Sequence, residues 1–406
     1  MQGNSTSALQ HGTAARIEHL DLIRGVAVLG ILLMNIISFA MPVAAFANPT
    51  AYGDFSGIHQ WTWALIHIFA EQKFIAMFGM LFGAGIVLMA SREAPAGLTH
   101  KQRHFRRLGW LALFGLAHAW LLWYGDILFT YAVAGCLAWL AIHKSVRALW
   151  TWGLILYALP ALLLGLMQLG MQAPESEFAN DMQPYWAPGA DLLAQEISAV
   201  TGGFVARTSE RAEIIFGLQT SQLLLFTLWT ALGYMLIGMA LFKQGVLQGQ
   251  ASQAVRMVLL ALFIPGVLLV TTGVVSDLRS DFAIETAMFG GMLWNYVGSL
   301  GMALAYIVLL ACWANRGWLP GLQHKLKQAG RMAFSLYIMQ TLIGVVIFNW
   351  IGLFAQLQRF ELLLLVVAIW IAQLAFASWY LGRFQHGPLE WLWRRLVSGP
   401  QRSIVK

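Results

Sequence analysis

The chain has 406 residues, 59% of them hydrophobic and only 11% charged, with a formal net charge of +7 and a mean hydropathy of +0.67. Soluble domains carry about 25% charged residues, so there is too little polar surface here to cover a water-soluble core. A cytosolic enzyme, a disordered chain, a collagen-like fibre and a disulfide scaffold are excluded, which leaves an all-α polytopic integral membrane protein.

Residues 1–19 are polar and lead into an apolar run with no small-residue cleavage site after it, so they read as a cytoplasmic segment ahead of an anchoring helix. A bilayer core of about 30 Å takes roughly 20 apolar residues per helix. On that measure ten spans follow, at 20–42, 60–91, 107–124, 127–143, 148–171, 214–242, 257–276, 286–314, 333–351 and 361–382. They group into five-helix halves at 20–171 and 214–382. An acidic loop rich in proline and glycine, 172–213, separates them, with a short amphipathic helix expected near 190–200. A basic amphipathic tail, 383–406, closes the chain and is expected on the inner membrane surface. The long second span reads as one tilted helix whose Gly79, Gly83 and Gly85 allow close helix packing. Cys136 and Cys312 lie in apolar runs with no metal-ligand spacing, so neither a disulfide nor a metal site is expected.

The basic residues orient these helices. With both termini cytoplasmic, the inner segments hold 20 of the 25 Lys and Arg but only Glu18, Asp21, Glu93 and Glu390 among the 18 acids. Positive-inside asymmetry of this kind fits an even number of spans, and it accounts for the net charge with no nucleic-acid partner.

Ionisable groups inside spans are costly, and each is a functional candidate. Asp21 and Arg24 share a helix face and can pair, and Asn35 lies three turns above them. Glu71 and Lys73, two apart, diverge, so each needs another helix or a cavity. His118 falls about 16 Å up a helix that starts at Arg107, and Asp126 about 12 Å further on a continuous helix, too far for a hydrogen bond unless the helix breaks at Gly125. Arg331 and Ser335 share a face at the mouth of the ninth span, with Tyr337 and Gln340 adjoining.

Five blocks carry a resemblance: LDLIRGVAVLGILLMN at 20–35, EQKFIAMFGMLFGAGIVL at 71–88, GLAHAWLLWYGDIL at 115–128, GRMAFSLYIMQ at 330–340 and GPLEWLWR at 387–394. On them the chain is similar to the YeiB-like family of bacterial membrane proteins, of unknown function, which implies an inner-membrane location. The first block also resembles the opening of the transmembrane acyltransferases related to lysosomal heparan-glucosaminide acetyltransferase, with LDxxRG followed by an Asn at the spacing of Asn35. That resemblance implies acyl-CoA bound from the cytoplasm and an acceptor acylated across the membrane. The catalytic His of those enzymes, eleven residues past the Asn, corresponds here to Phe46. The base then passes to His118, with His59 and His67 next in order.

Two functions are therefore expected to compete. In the first, Arg24, Arg331, Lys73 and Ser335 hold acyl-CoA at the cytoplasmic mouth, His118 acts as general base, Tyr124 and Asp126 further up the same helix line the exit toward the acceptor, and Asn35 donates to the developing oxyanion. The acceptor is then a small molecule, glycan or lipid. In the second, the same buried groups form a path for a small solute or protons. The lipid bilayer is a partner in both, and the oligomeric state stays open, a homodimer included.

Overall fold

The computed structural model describes residues 5–92, 97–173 and 176–399, with side chains from Glu18 onward. Glu93, and residues 400–406 of the basic tail, lie outside the described residues. Every described element is helical, as an all-α membrane protein requires. In chain order they are α1 (Ser5–Ala40), α2 (Ala44–Ala47), α3 (Gly57–Phe69), α4 (Lys73–Ala90), α5 (His100–Leu121), α6 (Leu128–Ala138) and α7 (Val146–Met171). Next come α8 (Glu177–Trp186), α9 (Ala190–Thr201), α10 (Phe204–Gln219), α11 (Leu228–Lys243), α12 (Gln253–Ala261), α13 (Phe263–Arg279) and α14 (Ile284–Arg316). The chain ends in α15 (Pro320–Arg331), α16 (Ala333–Gly344), α17 (Arg359–Arg383) and α18 (Pro388–Ser398).

Among the described residues eight helical stretches are long and apolar enough to cross a membrane: Glu18–Ala40, Gly57–Ala90, Val146–Met171, Phe204–Lys243, Gln253–Arg279, Ile284–Arg316, Ala333–Trp350 and Arg359–Arg383. Two of the ten expected spans fall short of that standard for separate reasons. The span at 107–124 lies in α5, whose first two turns carry Lys101, Arg103, Arg106 and Arg107; the span at 127–143 is the short α6, and the two helices pack together as a hairpin. Exposed apolar side chains such as Trp61, Leu140, Leu162, Leu225, Leu268 and Ile371 stud the outside of the helices, a surface suited to lipid rather than water.

The centre of the bundle is α11, apolar on all sides and packed against α4, α6 and α7. Glycine makes the α4–α11 crossing possible. A Cβ on Gly83 would collide with the Met235 backbone, and one on Gly238 with the Met80 backbone, so the two helices touch main chain to main chain. Gly79 also faces a neighbour, Tyr234, whereas Gly85 faces open space.

Three segments read as loops or single helices are built otherwise. The second span is not one tilted helix: α3 ends at Phe69, Gln72 takes a left-handed φ of 65°, and α4 restarts at Lys73. Residues 172–213 hold α8, α9 where a helix was expected, and the start of α10, which joins α11 through a π-helical turn at Leu223–Thr227. The connection before the ninth expected span contains α15, which packs on α1 because Gly25 meets Leu326 and Gly330 meets Asp21 without side chains between them.

Candidate active site

His118 and Asp126 are joined, contrary to the 12 Å that a continuous helix would impose. The helix stops at Leu121, before Gly125, and Leu122 and Trp123 both donate their backbone N–H to the His118 carbonyl. The chain then doubles back. His118 Nδ1 lies 2.9 Å from Asp126 Oδ1, both side chains being almost wholly buried. The second carboxylate oxygen accepts the Phe129 N–H at 2.8 Å, which fixes its plane. On the other side of the ring, His118 Nε2 lies 2.9 Å from Thr341 Oγ1 of α16. A carboxylate only accepts, so the ring proton sits on Nδ1 and Nε2 is left to accept from the threonine hydroxyl. The Tyr337 ring packs beside the imidazole with centroids 5.2 Å apart, and its hydroxyl donates to the Gly125 carbonyl at 3.2 Å.

Thr341 was not singled out from the sequence. The signal was its place four residues after Tyr337, on the same helix face. Asn35 is half-buried and makes no side-chain hydrogen bond among the described residues, so it is not tied to His118. Its neighbours Met34 and Ile37 line a separate cavity described below.

The four residues expected at the cytoplasmic mouth divide. Arg24 pairs with Asp21 at 2.9 Å, as its spacing requires, and reaches the Gly330 carbonyl at 3.5 Å. Arg331 donates to the Gln385 carbonyl at 2.8 Å. Arg331 and Ser335 do not share one helix: Arg331 ends α15, Met332 breaks the chain, and Ser335 lies in the first turn of α16. Ser335 gives its hydroxyl to Glu390 at 2.5 Å, while the other oxygen of Glu390 accepts the N–H groups of Phe334 and Ser335 at 2.8 and 3.1 Å. The tail helix α18 is thus docked on α5 and α16, its carboxylate capping a helix N-terminus. Trp393 completes the dock under the Arg107 guanidinium, 4.7 Å from the ring centroid. Cations crowd here. Burial first, and then the facing guanidinium groups of Arg103 and Arg92, hold Arg394 below its ordinary value against the pull of Glu390 and Asp21.

Lys73 stands apart from that mouth. Its ammonium is fully buried at the break between α3 and α4, donating to Asn295 Oδ1 of α14 at 2.6 Å and to the His67 carbonyl at 2.9 Å. Ser299 also donates to Asn295, at 2.9 Å. Glu71 pairs with His67 at 2.5 Å. The two charges separated by Gln72 therefore each find the partner that i,i+2 spacing denied them. Among the described residues no three His, Cys, Asp or Glu side chains gather to hold a metal ion.

A family model described as a protein of unknown function (DUF418) matches residues 240–400. The chain is 35% identical over 400 residues to the uncharacterized protein YeiB of Escherichia coli K12, covering 95% of this chain and 97% of that one. It is 25% identical to the uncharacterized protein YxaH of Bacillus subtilis 168, over 97% of each. An uncharacterized 39.9 kDa protein from the amylase 3′ region of Bacillus acidopullulyticus is 27% identical over 96% of each. No solved structure matches.

Proposed function

We propose a function on this premise: the chain belongs to the YeiB-like family of membrane proteins, and we infer that it is a membrane-embedded acyltransferase with His118 as its base. One observation carries the reading. A buried imidazole is held by Asp126 on Nδ1 and presents Nε2 to a hydroxyl at 2.9 Å, the arrangement by which a histidine takes a proton from an alcohol in acyl transfer. The Thr341 hydroxyl marks the position an acceptor hydroxyl takes in turnover. The acceptor oxygen attacks the thioester carbonyl, the C–O bond forms as C–S breaks, and the proton moves to Nε2 and then to the leaving thiolate. General-base catalysis of this kind contributes about 10²–10⁴-fold.

In this reading both termini are cytoplasmic, in the inner membrane, and the basic mouth of Arg24, Arg331, Arg394 and Ser335 receives the phosphates of acyl-CoA. Guanidinium groups suit that role. Lys73 and Asn35 have no part in donor binding at that mouth. The test is release of free thiol from acetyl-CoA by purified protein in liposomes, with and without a lipid or glycan acceptor. Protein-dependent release that is lost in His118→Gln supports the reading, and no release with any donor overturns it.

The break between α3 and α4 favours a second reading. Broken helices deep in a membrane recur at ion and solute sites of transporters, and this one brings Glu71 and Lys73 to the interior. Proton flux into protein-containing liposomes, unchanged in His118→Gln and abolished in Lys73→Met, would select transport over transfer.

A further inference from the structure

The charge asymmetry leaves only five basic residues away from the cytoplasmic side: Lys73, Arg207, Arg211, Arg279 and Arg359. Topology does not require them, so each needs a local reason. Lys73 has Asn295 and a carbonyl. Arg359, the first residue of α17, is only 2% exposed, and its charge has no such answer. Its partners are two backbone carbonyls, Tyr52 at 3.3 Å and Ala45 at 3.2 Å, and the Phe55 ring at 5.8 Å. Among the described residues no ion pair includes it. A guanidinium cannot shed its proton, and two acceptors leave most of its five N–H donors unsatisfied. Burying such a cation without an anion is strongly unfavourable.

Arg359 lines a cavity at the end of the bundle where α1 stops at Ala40. The cavity measures about 20 Å³ and is walled by Met34, Phe46, Trp63, Ile66 and His67. A volume of this size admits one oxygen-sized group. Glu71 also reaches it, but that carboxylate is taken by His67 at 2.5 Å, and among the described residues no ion pair joins it to Arg359. Thr62 of α3 also lines the cavity, its hydroxyl donated to the Ile58 carbonyl at 2.7 Å; the rest of the wall is apolar, and Phe46 is exposed at the rim.

We propose that this cavity is a binding site for the oxyanion head of an amphiphile, a carboxylate or phosphate, one oxygen of which enters beside Arg359 while its hydrocarbon stays outside, against Phe46 at the rim. The geometry matches what a guanidinium does best, recognition of carboxylate and phosphate oxygens. The site is independent of the transferase reading.

The experiment is thermal unfolding of the purified full chain in detergent, with decanoate and phosphatidylglycerol as probes, decanol and diacylglycerol as uncharged counterparts, and inorganic phosphate as the bare anion. Decanoate, phosphatidylglycerol or both should raise the midpoint in the wild type, and the uncharged pair should not. Arg359→Gln should abolish the shift. Thr62→Leu, which fills the cavity from α3 and leaves Arg359 in place, should weaken the apparent affinity at least tenfold, so the test survives a poorly folded Arg359 variant. Stabilisation by inorganic phosphate equal to that by the amphiphiles overturns the proposal. So does equal stabilisation by the uncharged pair, a shift retained in both variants, or no shift in the wild type.

Discussion

Thr341 and His118, 223 residues apart in sequence, meet at 2.9 Å inside the bundle, Oγ1 on Nε2. The contact turns a buried histidine into the middle of a hydroxyl–imidazole–carboxylate line that runs from α16 through α5 to the turn before α6. Removing its parts one at a time gives distinct outcomes. His118→Gln keeps hydrogen bonding but cannot take a proton at neutral pH, so acyl-CoA turnover should fall by about 10²–10⁴-fold with coenzyme A affinity, measured by calorimetry, unchanged. Thr341→Val should leave turnover within a few-fold, because the acceptor supplies its own hydroxyl.

Asp126→Ala strands two buried donors, the ring N–H of His118 and the amide of Phe129. Unsatisfied buried groups cost about 1–3 kcal/mol each, so the variant should unfold at a measurably lower temperature than His118→Gln in the same detergent.

The α4–α11 crossing should be intolerant of any side chain. Gly83→Ala and Gly238→Ala each place a methyl against facing backbone, and overpacking costs about 1–3 kcal/mol. Gly85→Ala, which faces open space, serves as the neutral control in the same thermal assay.

Lys73 and Asn295 should respond unequally. Asn295→Ala leaves a buried ammonium with one carbonyl, and a stranded buried donor costs about 1–3 kcal/mol, more when it is charged. Lys73→Met removes the charge itself while keeping much of the volume. Lys73→Met should therefore be the more stable of the two, read from unfolding midpoints.

Docking of the tail helix should depend on pH. Burial raises the Glu390 carboxyl above its ordinary range, against the opposing hydrogen bonds from Ser335 and Phe334. A raised folded-state value means that the folded state binds the proton more tightly. The stabilisation from this group is then fully present below the unfolded value, about 4.3, and is lost as pH rises through the folded one. Hydrogen exchange of α18 should speed up across that rise, and Glu390→Gln should flatten the dependence.

Sidedness can be read directly. In a background with Cys136 and Cys312 replaced, an impermeant thiol reagent outside intact cells should reach Asp181→Cys and miss Ser398→Cys. The reverse pattern would invert the charge-based orientation.

The sequence by itself determined the class of the protein: only helices and closed barrels satisfy the backbone in a bilayer, and continuous apolar runs of about 20 residues suit helices, not the alternating strands of a barrel. It also determined the local pairs that helical spacing enforces, Asp21 with Arg24 above all, and the close approach of helices at Gly79 and Gly83. The tertiary structure decided everything that depends on where helices break and which ones meet. Stops at Phe69 and Leu121 fall inside apolar runs, where periodicity continues unchanged and only packing selects the bend, and the stop at Arg331 falls at the edge of one. For that reason Asp126 could fold back onto His118, Lys73 could leave the cytoplasmic mouth for Asn295, and Arg331 and Ser335 could part onto two helices. Thr341, Asn295 and Glu390 became partners because they stand opposite His118, Lys73 and Ser335 on other helices, across sequence separations that no local pattern spans.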